Sequence, residues 1–207
     1  GATAVAEARD RADLLAKELN HRVKNLFAVI LAIVRMSARG DAAAAPAVDR
    51  IAKRIHALVT AHEVTQGAGQ DQTVDFADLV GKVIAPYRSS SERCELSGGP
   101  LVLPGRHAVP LGLVLHELVT NAVKYGAWSQ PGGLLRVTWE SGAGHARVLW
   151  EEIRTQPCEA RPEPGREGFG SALIRSSERQ LNGKITRSFG DQGIVVEMAF
   201  PLEGESG

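Results

Sequence analysis

The sequence of 207 residues predicts an α+β protein, in which an amino-terminal antiparallel helical hairpin precedes an α/β sandwich. In the sandwich, helices are expected to cover one face of a mixed sheet. Three observations support this prediction. Residues 5–39 contain no proline or glycine and carry apolar residues at steps of three and four. Beyond residue 72, stretches with a period of two alternate with helical stretches. The strand candidates follow one another as hairpins rather than as regular βαβ units.

The hairpin is expected to occupy residues 1–68. Gly40 and Pro46 in the segment GDAAAAP interrupt the helical pattern, and a second helix is expected from about residue 47 to 65. The short connection makes the two helices antiparallel neighbours. Two helices cannot bury an apolar stripe alone, so either a second copy completes a four-helix bundle or the hairpin packs on its own chain.

A second domain is expected over residues 72–207, after the polar linker QGAGQDQ. The segment TVDFADLVGKVIAPYR begins as a strand and continues as a helix, and CELSGGPLVLPG contains two short strands. A strongly periodic helix covers residues 107–126. The strands LLRVTWE and HARVLWEEI form a hairpin through SGAG. A loop rich in proline and glycine, a helix over about 170–181 and a closing hairpin complete the domain.

Composition excludes several classes of function. The 24 basic and 24 acidic residues cancel, so the chain has no excess positive charge with which to bind nucleic acid. The longest apolar run, residues 26–34, is about half as long as a membrane span, so we expect no membrane insertion. Cys94 and Cys158 lack CxxC spacing and are expected to be free thiols in a reducing compartment. No signal peptide is visible, and a cytoplasmic location is expected.

The helix over residues 107–126 carries a polar stripe. Glu117, Asn121 and Lys124 follow one another at i, i+4 and i+7, which places them along one side of the helix. An amide oxygen can bind Mg²⁺, a carboxylate can hold or polarise one of its waters, and a lysine can offset phosphate charge. A metal–phosphate site and an ordinary solvated helix face both explain this stripe.

Two further features suit a nucleotide. In GREGFGSALI, Gly168 and Gly170 flank Phe169 at the start of a helix, where backbone N–H groups can bind phosphate. The spacing fits neither the dinucleotide fingerprint nor the P-loop. Glu152 ends a strand and can accept a hydrogen bond from an exocyclic amine such as that of adenine. Taken singly, an ordinary helix start and an exposed strand end are sufficient explanations.

The order of these features resembles the ATP-binding domain of sensor histidine kinases, which shares its fold with gyrase and the Hsp90 chaperones (the GHKL ATPase fold). LHELVTNAVKYGAWS over residues 115–129 has a histidine before the glutamate, and WEE over 150–152 gives Trp-x-Glu. ELNHRVKN resembles the phospho-acceptor box of the same group. Together these segments resemble the HWE-type histidine kinases over residues 15–202, nearly the whole chain.

The resemblance implies the core of an ATP-dependent sensor histidine kinase in two-component signalling. The chain would autophosphorylate His21 and transfer the phosphoryl group to an aspartate of a response regulator. The implied catalytic residues are His21, Asn25, Glu18 and Glu117. The implied nucleotide-binding residues are His116, Asn121, Lys124, Tyr125, Trp150, Glu152, Gly168, Phe169, Gly170 and Ser171. Glu117 and Asn121 would also hold Mg²⁺, and ATP and Mg²⁺ are the expected cofactors.

The acceptor box differs from the usual pattern beside His21. Many histidine kinases carry an acidic residue directly after the histidine as proton acceptor, and Arg22 stands there in this chain. A guanidinium cannot accept a proton, so Glu18 is the alternative acceptor, and Asn25, one turn later, can orient the ring. Most relatives are dimers through the hairpin, but a monomer stays open, as does phosphorylation within one chain or between two.

The segment after Glu152 also differs. Relatives usually continue with a small residue and Gly-Gly-Pro, whereas this chain has Ile153, Arg154, Thr155 and Gln156. A side chain in place of such a glycine would cost stability or force another loop path. Either ATP still binds in an altered pocket, or the ATP domain is degenerate and the chain is a phosphotransfer relay module. The intact HELVTN, KYG and GFGS segments favour an active kinase over the relay, and a mechanical GHKL ATPase is disfavoured.

Overall fold

The first two elements of the computed structural model, which describes residues 1–67, 69–157 and 169–203, are the antiparallel helices of the hairpin. The helices in chain order are α1 Ala2–Ser37, α2 Ala45–Glu63, α3 Phe76–Ile84, α4 Ala108–Lys124 and α5 Phe169–Leu181. The strands are β1 Thr65–Gln66, β2 Thr73–Asp75, β3 Arg93–Gly98, β4 Val102–Pro104, β5 Leu134–Gly142, β6 His145–Ile153, β7 Lys184–Gly190 and β8 Gly193–Pro201.

The break between α1 and α2 follows the local sequence. Gly40 has φ +87°, a value that a side chain would disfavour. Pro46 lies in the first turn of α2, where its missing N–H removes no hydrogen bond. Lys24 forms an ion pair of 3.2 Å with Glu63, which joins the middle of α1 to the end of α2.

The two hairpin helices differ in what they bury. On α2, the small residues Ala52, Ala57 and Ala61 are buried, and Ala61 belongs to the core shared with α3, α4 and the sheet. On α1, only Leu31 is buried. The exposed large apolar residues of α1 are Val5, Leu14, Leu15, Leu19, Leu26, Val29, Ile33 and Met36. The hairpin therefore packs on its own chain through α2, while α1 presents apolar side chains to solvent.

The larger sheet is mixed, as the sequence predicts. Its strand order is β3-β5-β6-β8-β7; β3 and β5 run parallel, and the other neighbours run antiparallel. Alternate residues of β6 and β8 are buried, including Val148, Trp150 and Met198, and residues between them are partly or fully exposed. One face of the sheet thus packs on the helices. The hairpin turn at Ala143 and Gly144 has φ values of 53° and 75°, the positive values that a two-residue turn requires.

A smaller antiparallel sheet, in the order β1-β2-β4, connects α2 to the second part of the chain. Asp75 caps α3, because its side chain accepts a hydrogen bond of 3.1 Å from the backbone N–H of Asp78. Strand β1 follows α2 directly and pairs with β2, and Val64 lies in the shared core. The division of the chain into domains 1–68 and 72–207 stays a prediction.

Helix α4 is the central element of the core. Its buried residues include Leu111, Leu115, Val119 and Ala122. Directly before it, the buried ring of His107 lies edge-on to Phe200 at 5.5 Å, and burial lowers the pKa of His107 to about 4, so the ring is neutral at physiological pH. Within the described residues, no helix is both long and apolar enough to cross a membrane.

Candidate functional site

The predicted polar stripe of α4 lines a cleft of about 450 Å³ between α4 and α2. Glu117, Asn121 and Lys124 all contribute to its wall, so the helical spacing brings them together as expected. The opposite wall comes from α2 and carries three cationic side chains. These are Arg50, Lys53 and Arg54. The cleft therefore places two carboxylates, those of Glu117 and Asp49, and one amide among several positive charges, an arrangement that suits a polyanion.

Glu117 already has a cationic partner in this arrangement. Its Oε1 lies 2.8 Å from Arg54 Nε, with a longer contact of 3.5 Å between Oε2 and Arg54 Nη2. The two side chains are 11% and 25% exposed, so the pair is partly shielded from water. Burial by itself would raise the pKa of Glu117, but His116 and Arg54 more than offset it and the pKa lies below its usual value. The carboxylate is therefore ionised at neutral pH.

His116 is buried against Tyr87, which lies in the short 3₁₀ turn after α3. The Tyr87 hydroxyl is 2.7 Å from His116 Nε2, and the two rings meet edge to face at 5.5 Å. His116 Nδ1 lies 3.8 Å from Glu117 Oε1, too far for a hydrogen bond, and has no other partner. Both His116 and Tyr87 line the cleft.

The start of α5 approaches the same carboxylate. A Cβ added to Gly170 would lie 4.0 Å from Glu117 Oε2. The start of α5 therefore lies next to the polar stripe of α4. Ser171 accepts a hydrogen bond of 3.3 Å from Arg187 of β7. Phe169 is the first residue of α5. Gly168, the other glycine of the predicted phosphate-binding turn, lies outside the described residues.

Glu152 and Trp150 form a buried pair at the end of β6. Glu152 Oε1 accepts from the backbone N–H of Ala127 at 3.1 Å, and Oε2 accepts from Trp150 Nε1 at 3.0 Å. Burial raises the pKa of Glu152, although these hydrogen bonds oppose the rise. A Cβ at Gly126 would overlap the carboxylate, which explains the glycine there. Glu152 is thus not an exposed charge at a strand end. Its hydrogen bond from Ala127 joins β6 to the turn after α4.

The unusual segment after Glu152 takes an ordinary backbone path. Among described non-glycine residues, positive φ values occur only at Ala143 and Asn182, so Arg154 is not held in a conformation that favours glycine. The Arg154 N–H donates to Gln192 O at 2.7 Å, and its guanidinium donates to the carbonyl oxygen of Tyr125. Arg154 therefore joins β6 to the end of α4, beside the exposed Tyr125 ring.

The acceptor residues lie elsewhere on the molecule. His21, Asn25 and Glu18 are exposed on α1, and none of them lines the cleft. Glu18 Oε1 accepts a hydrogen bond of 2.9 Å from Arg22 Nη2, so its carboxylate pairs with the guanidinium one turn later. The structure therefore brings His116, Glu117, Asn121, Lys124 and Tyr125 to one cleft, but Trp150, Glu152, Ser171 and His21 do not line it.

Sequence reasoning missed the residues that α2 adds to the cleft, and it missed Tyr87. Arg50, Lys53 and Arg54 recur at i, i+3 and i+4, so a basic face on α2 was visible in the sequence. Its position opposite Glu117 was not visible, because it depends on how α2 packs on α4. Tyr87 had no signal of its own, since it lies 29 residues from His116 in the chain.

Comparison with known proteins agrees with this geometry. The family model "HWE histidine kinase" matches residues 18–100. The chain is 35% identical over 190 residues to blue-light-activated histidine kinase 1 of Erythrobacter litoralis, with 91% of this chain and 53% of the relative covered. It is 30% identical over 194 residues to the blue-light-activated histidine kinase of Rhizobium johnstonii, covering 92% and 54%. The chain thus spans about half the length of these curated relatives.

Solved structures show the same fold at low identity. The histidine kinase domain of the Erythrobacter litoralis EL346 blue-light-activated histidine kinase aligns with a TM-score of 0.63 at 20% identity, covering 89% of this chain and 92% of that one. The Acinetobacter baumannii histidine kinase AdeS aligns with a TM-score of 0.54 at 16% identity, covering 89% and 98%. Fold, motifs and relatives agree with the family model, and the chain is similar to the HWE histidine kinases.

Proposed function

We propose that this chain is the core of an ATP-dependent sensor histidine kinase that phosphorylates His21 and passes the phosphoryl group to an aspartate of a response regulator. The observation that carries this proposal is the convergence of Glu117, Asn121 and Lys124 on one cleft, with Gly170 of α5 next to Glu117. The similarity to the HWE histidine kinases supports the reaction class, because histidine kinases as a family use ATP with Mg²⁺.

The residues present fit a magnesium–phosphate group. Mg²⁺ takes oxygen ligands and usually keeps only one or two from the protein, with phosphates and water completing its shell. The cleft offers the ionised carboxylate of Glu117 and the amide of Asn121. When bound, the ion would offset phosphate charge.

The remaining contacts follow from position. Lys124, Arg50 and Lys53 can offset charge on the phosphates. Backbone N–H groups at the start of α5, with Gly168, Phe169, Gly170 and Ser171, would hold a phosphate. At the far end of α4, Tyr125 and the buried pair of Trp150 and Glu152 would shape the adenine pocket. His116 directly precedes Glu117 in α4 and is buried.

In the reaction, a ring nitrogen of His21 forms a bond to the γ-phosphorus of ATP, the bond to the β–γ bridging oxygen breaks, and ADP leaves. Asn25 would orient the ring, and Glu18 would accept the ring proton after leaving Arg22. Because His21 lies outside the cleft, the transfer requires the hairpin to move or a second copy to supply α1. The exposed apolar residues of α1 suit a homodimer, and we propose a cytoplasmic location for both partners.

A relay module is the alternative function. Two observations favour it: Arg54 occupies the Glu117 carboxylate, and both oxygens of Glu152 already accept hydrogen bonds from the protein. In a relay, His21 would receive its phosphoryl group from a response regulator, and nucleotide would not bind.

Incubation with γ-labelled ATP and Mg²⁺ tests the proposal. We expect acid-labile label on the wild-type chain, none on His21→Gln, and unchanged label on His145→Gln, which removes an exposed histidine from the β5–β6 turn. A folded wild-type chain that takes no label from ATP but accepts it from a phosphorylated receiver domain would establish the relay and refute the kinase.

A further inference from the structure

We propose that Tyr87 is a positioning residue for Glu117 and acts through His116. Its hydroxyl donates a hydrogen bond to His116 Nε2, which keeps the ring proton on Nδ1, the nitrogen that faces the Glu117 carboxylate. The inference rests on the proposed function, in which Glu117 takes part at the nucleotide.

The contact between Tyr87 and His116 is well formed. The hydroxyl oxygen and Nε2 are 2.7 Å apart, and the edge-to-face ring contact fixes the orientation of both side chains. Burial raises the pKa of Tyr87, as do the nearby charges of Asp49 and Glu117, so the phenol keeps its proton at neutral pH. The hydroxyl therefore has a proton to donate, and Nε2 is its nearest acceptor.

The other ring nitrogen decides between the two tautomers. Nδ1 is shielded from solvent, lacks a hydrogen bond and faces Glu117 Oε1 at 3.8 Å. A proton on Nδ1 makes that contact attractive and leaves Nε2 free to accept from Tyr87. A proton on Nε2 would instead point a lone pair of Nδ1 at an anionic oxygen. It would also leave the Tyr87 proton without an acceptor in the described part of the chain.

In this arrangement the Nδ1–H group of His116 is a second hydrogen-bond donor available to Glu117, in addition to Arg54. Arg54 currently binds Oε1 and Oε2 from the α2 side. If Arg54 withdraws to let nucleotide and metal approach, a partly buried carboxylate loses its partner, which is unfavourable. A shift of less than 1 Å in the 3.8 Å contact would bring the Nδ1–H group of His116 to hydrogen-bond distance, about 3 Å. Tyr87 would thus keep Glu117 oriented during the reaction.

Nitrogen-15 NMR of the histidine rings tests the tautomer directly and does not depend on kinase activity. The His116 signals are assigned by their loss in His116→Gln. We expect the wild-type ring to carry its proton on Nδ1, and Tyr87→Phe, which keeps the aromatic ring, to shift His116 toward the Nε2–H form. A wild-type Nε2–H tautomer, or a tautomer that Tyr87→Phe leaves unchanged, would overturn the inference.

Autophosphorylation kinetics test the consequence. Removal of a residue that orients a ligand-holding group commonly costs about tenfold or more in activity. We expect Tyr87→Phe to lower kcat on the order of tenfold while KM for ATP changes little, because the nucleotide contacts stay in place. An unchanged kcat, or a change confined to KM, would refute the positioning role.

Thr65→Val is the matched control, since it also removes a half-buried hydroxyl, one that donates 2.8 Å to Ala61 O outside the cleft. It should leave kcat unchanged; a fall equal to that of Tyr87→Phe would assign the effect to general loss of packing and refute the inference. Failure of the wild-type chain to label His21 would instead contradict the proposed function, and the tautomer could still be determined.

Discussion

Arg54 and Glu117 form the contact that most directly affects nucleotide binding at the level of single residues. The carboxylate predicted to approach Mg²⁺ is held by a guanidinium from the hairpin, so metal and Arg54 compete for the same oxygens. An ion pair with this exposure contributes about 1 kcal/mol, which corresponds to a factor of about five in an equilibrium constant. We therefore expect the hairpin to lower the affinity of the proposed nucleotide site.

Arg54→Met should therefore raise the affinity for Mg²⁺ and a non-hydrolysable ATP analogue about fivefold, measured by calorimetric titration. Arg136→Met is the control, because it breaks an ion pair of the same Nε–carboxylate distance, 2.8 Å to Glu95, on the exposed face of the sheet. Weaker binding in Arg54→Met would show that Arg54 contacts the phosphates instead of competing with them.

Individual site residues were predictable where helical spacing or a turn fixed them. Glu117, Asn121 and Lys124 follow from the period of α4, and Gly170 follows from the start of α5. The partners of Glu117 could not be predicted, because Arg54 lies 63 residues away along the chain and reaches it only through tertiary packing. The resemblance indicated His116 without indicating its contact with Tyr87.

At the level of elements, the packing of α2 on α4 places the basic face of the hairpin over the cleft. The two helices approach closely because their contact residues are small: Gly112 of α4 faces Ala61 of α2, and an added Cβ would lie 2.9 Å from the Ala61 Cβ. The periodicity of each helix predicted its existence, but the side of α2 that is buried carries Ala52, Ala57 and Ala61, while Ile51 of the predicted apolar face is exposed. The periodicity did not predict which other helix the buried side would meet, since apolar stripes have no unique partner.

Gly112→Ala tests the contact between α2 and α4, because the substitution has two opposing effects on the free energy of unfolding. Alanine in a helix interior gains about 1 kcal/mol over glycine, while overpacking costs about 1–3 kcal/mol. We expect a net loss of about 1 kcal/mol in the free energy of unfolding, measured with denaturant. Gly81→Ala in α3, where an added Cβ meets nothing within 4 Å, should be neutral or stabilising. Stabilisation by Gly112→Ala would mean that α2 does not dock on α4 as described.

At the level of the whole molecule, the α+β fold was predictable from three periodic patterns and their order. The mixed sheet, the closing hairpin and the hairpin of α1 and α2 all agree with the sequence prediction. The relation of His21 to the cleft was not predictable. The position of His21 depends on how the hairpin packs against the rest of the chain, which the local sequence does not specify. In this packing, eight large apolar side chains of α1 are exposed.

The Mg²⁺ dependence of nucleotide binding tests the proposed site most directly. A calorimetric titration with a non-hydrolysable ATP analogue should show binding in Mg²⁺ that weakens on addition of EDTA. Asn121→Leu should weaken the Mg²⁺-dependent binding on the order of tenfold, because leucine has a similar size but lacks the amide oxygen proposed to bind the metal. Gln180→Met, which removes an exposed amide from α5, should bind as the wild type does. A folded wild-type chain that binds no nucleotide, or binds it equally without Mg²⁺ and without Asn121, would contradict the site on α4.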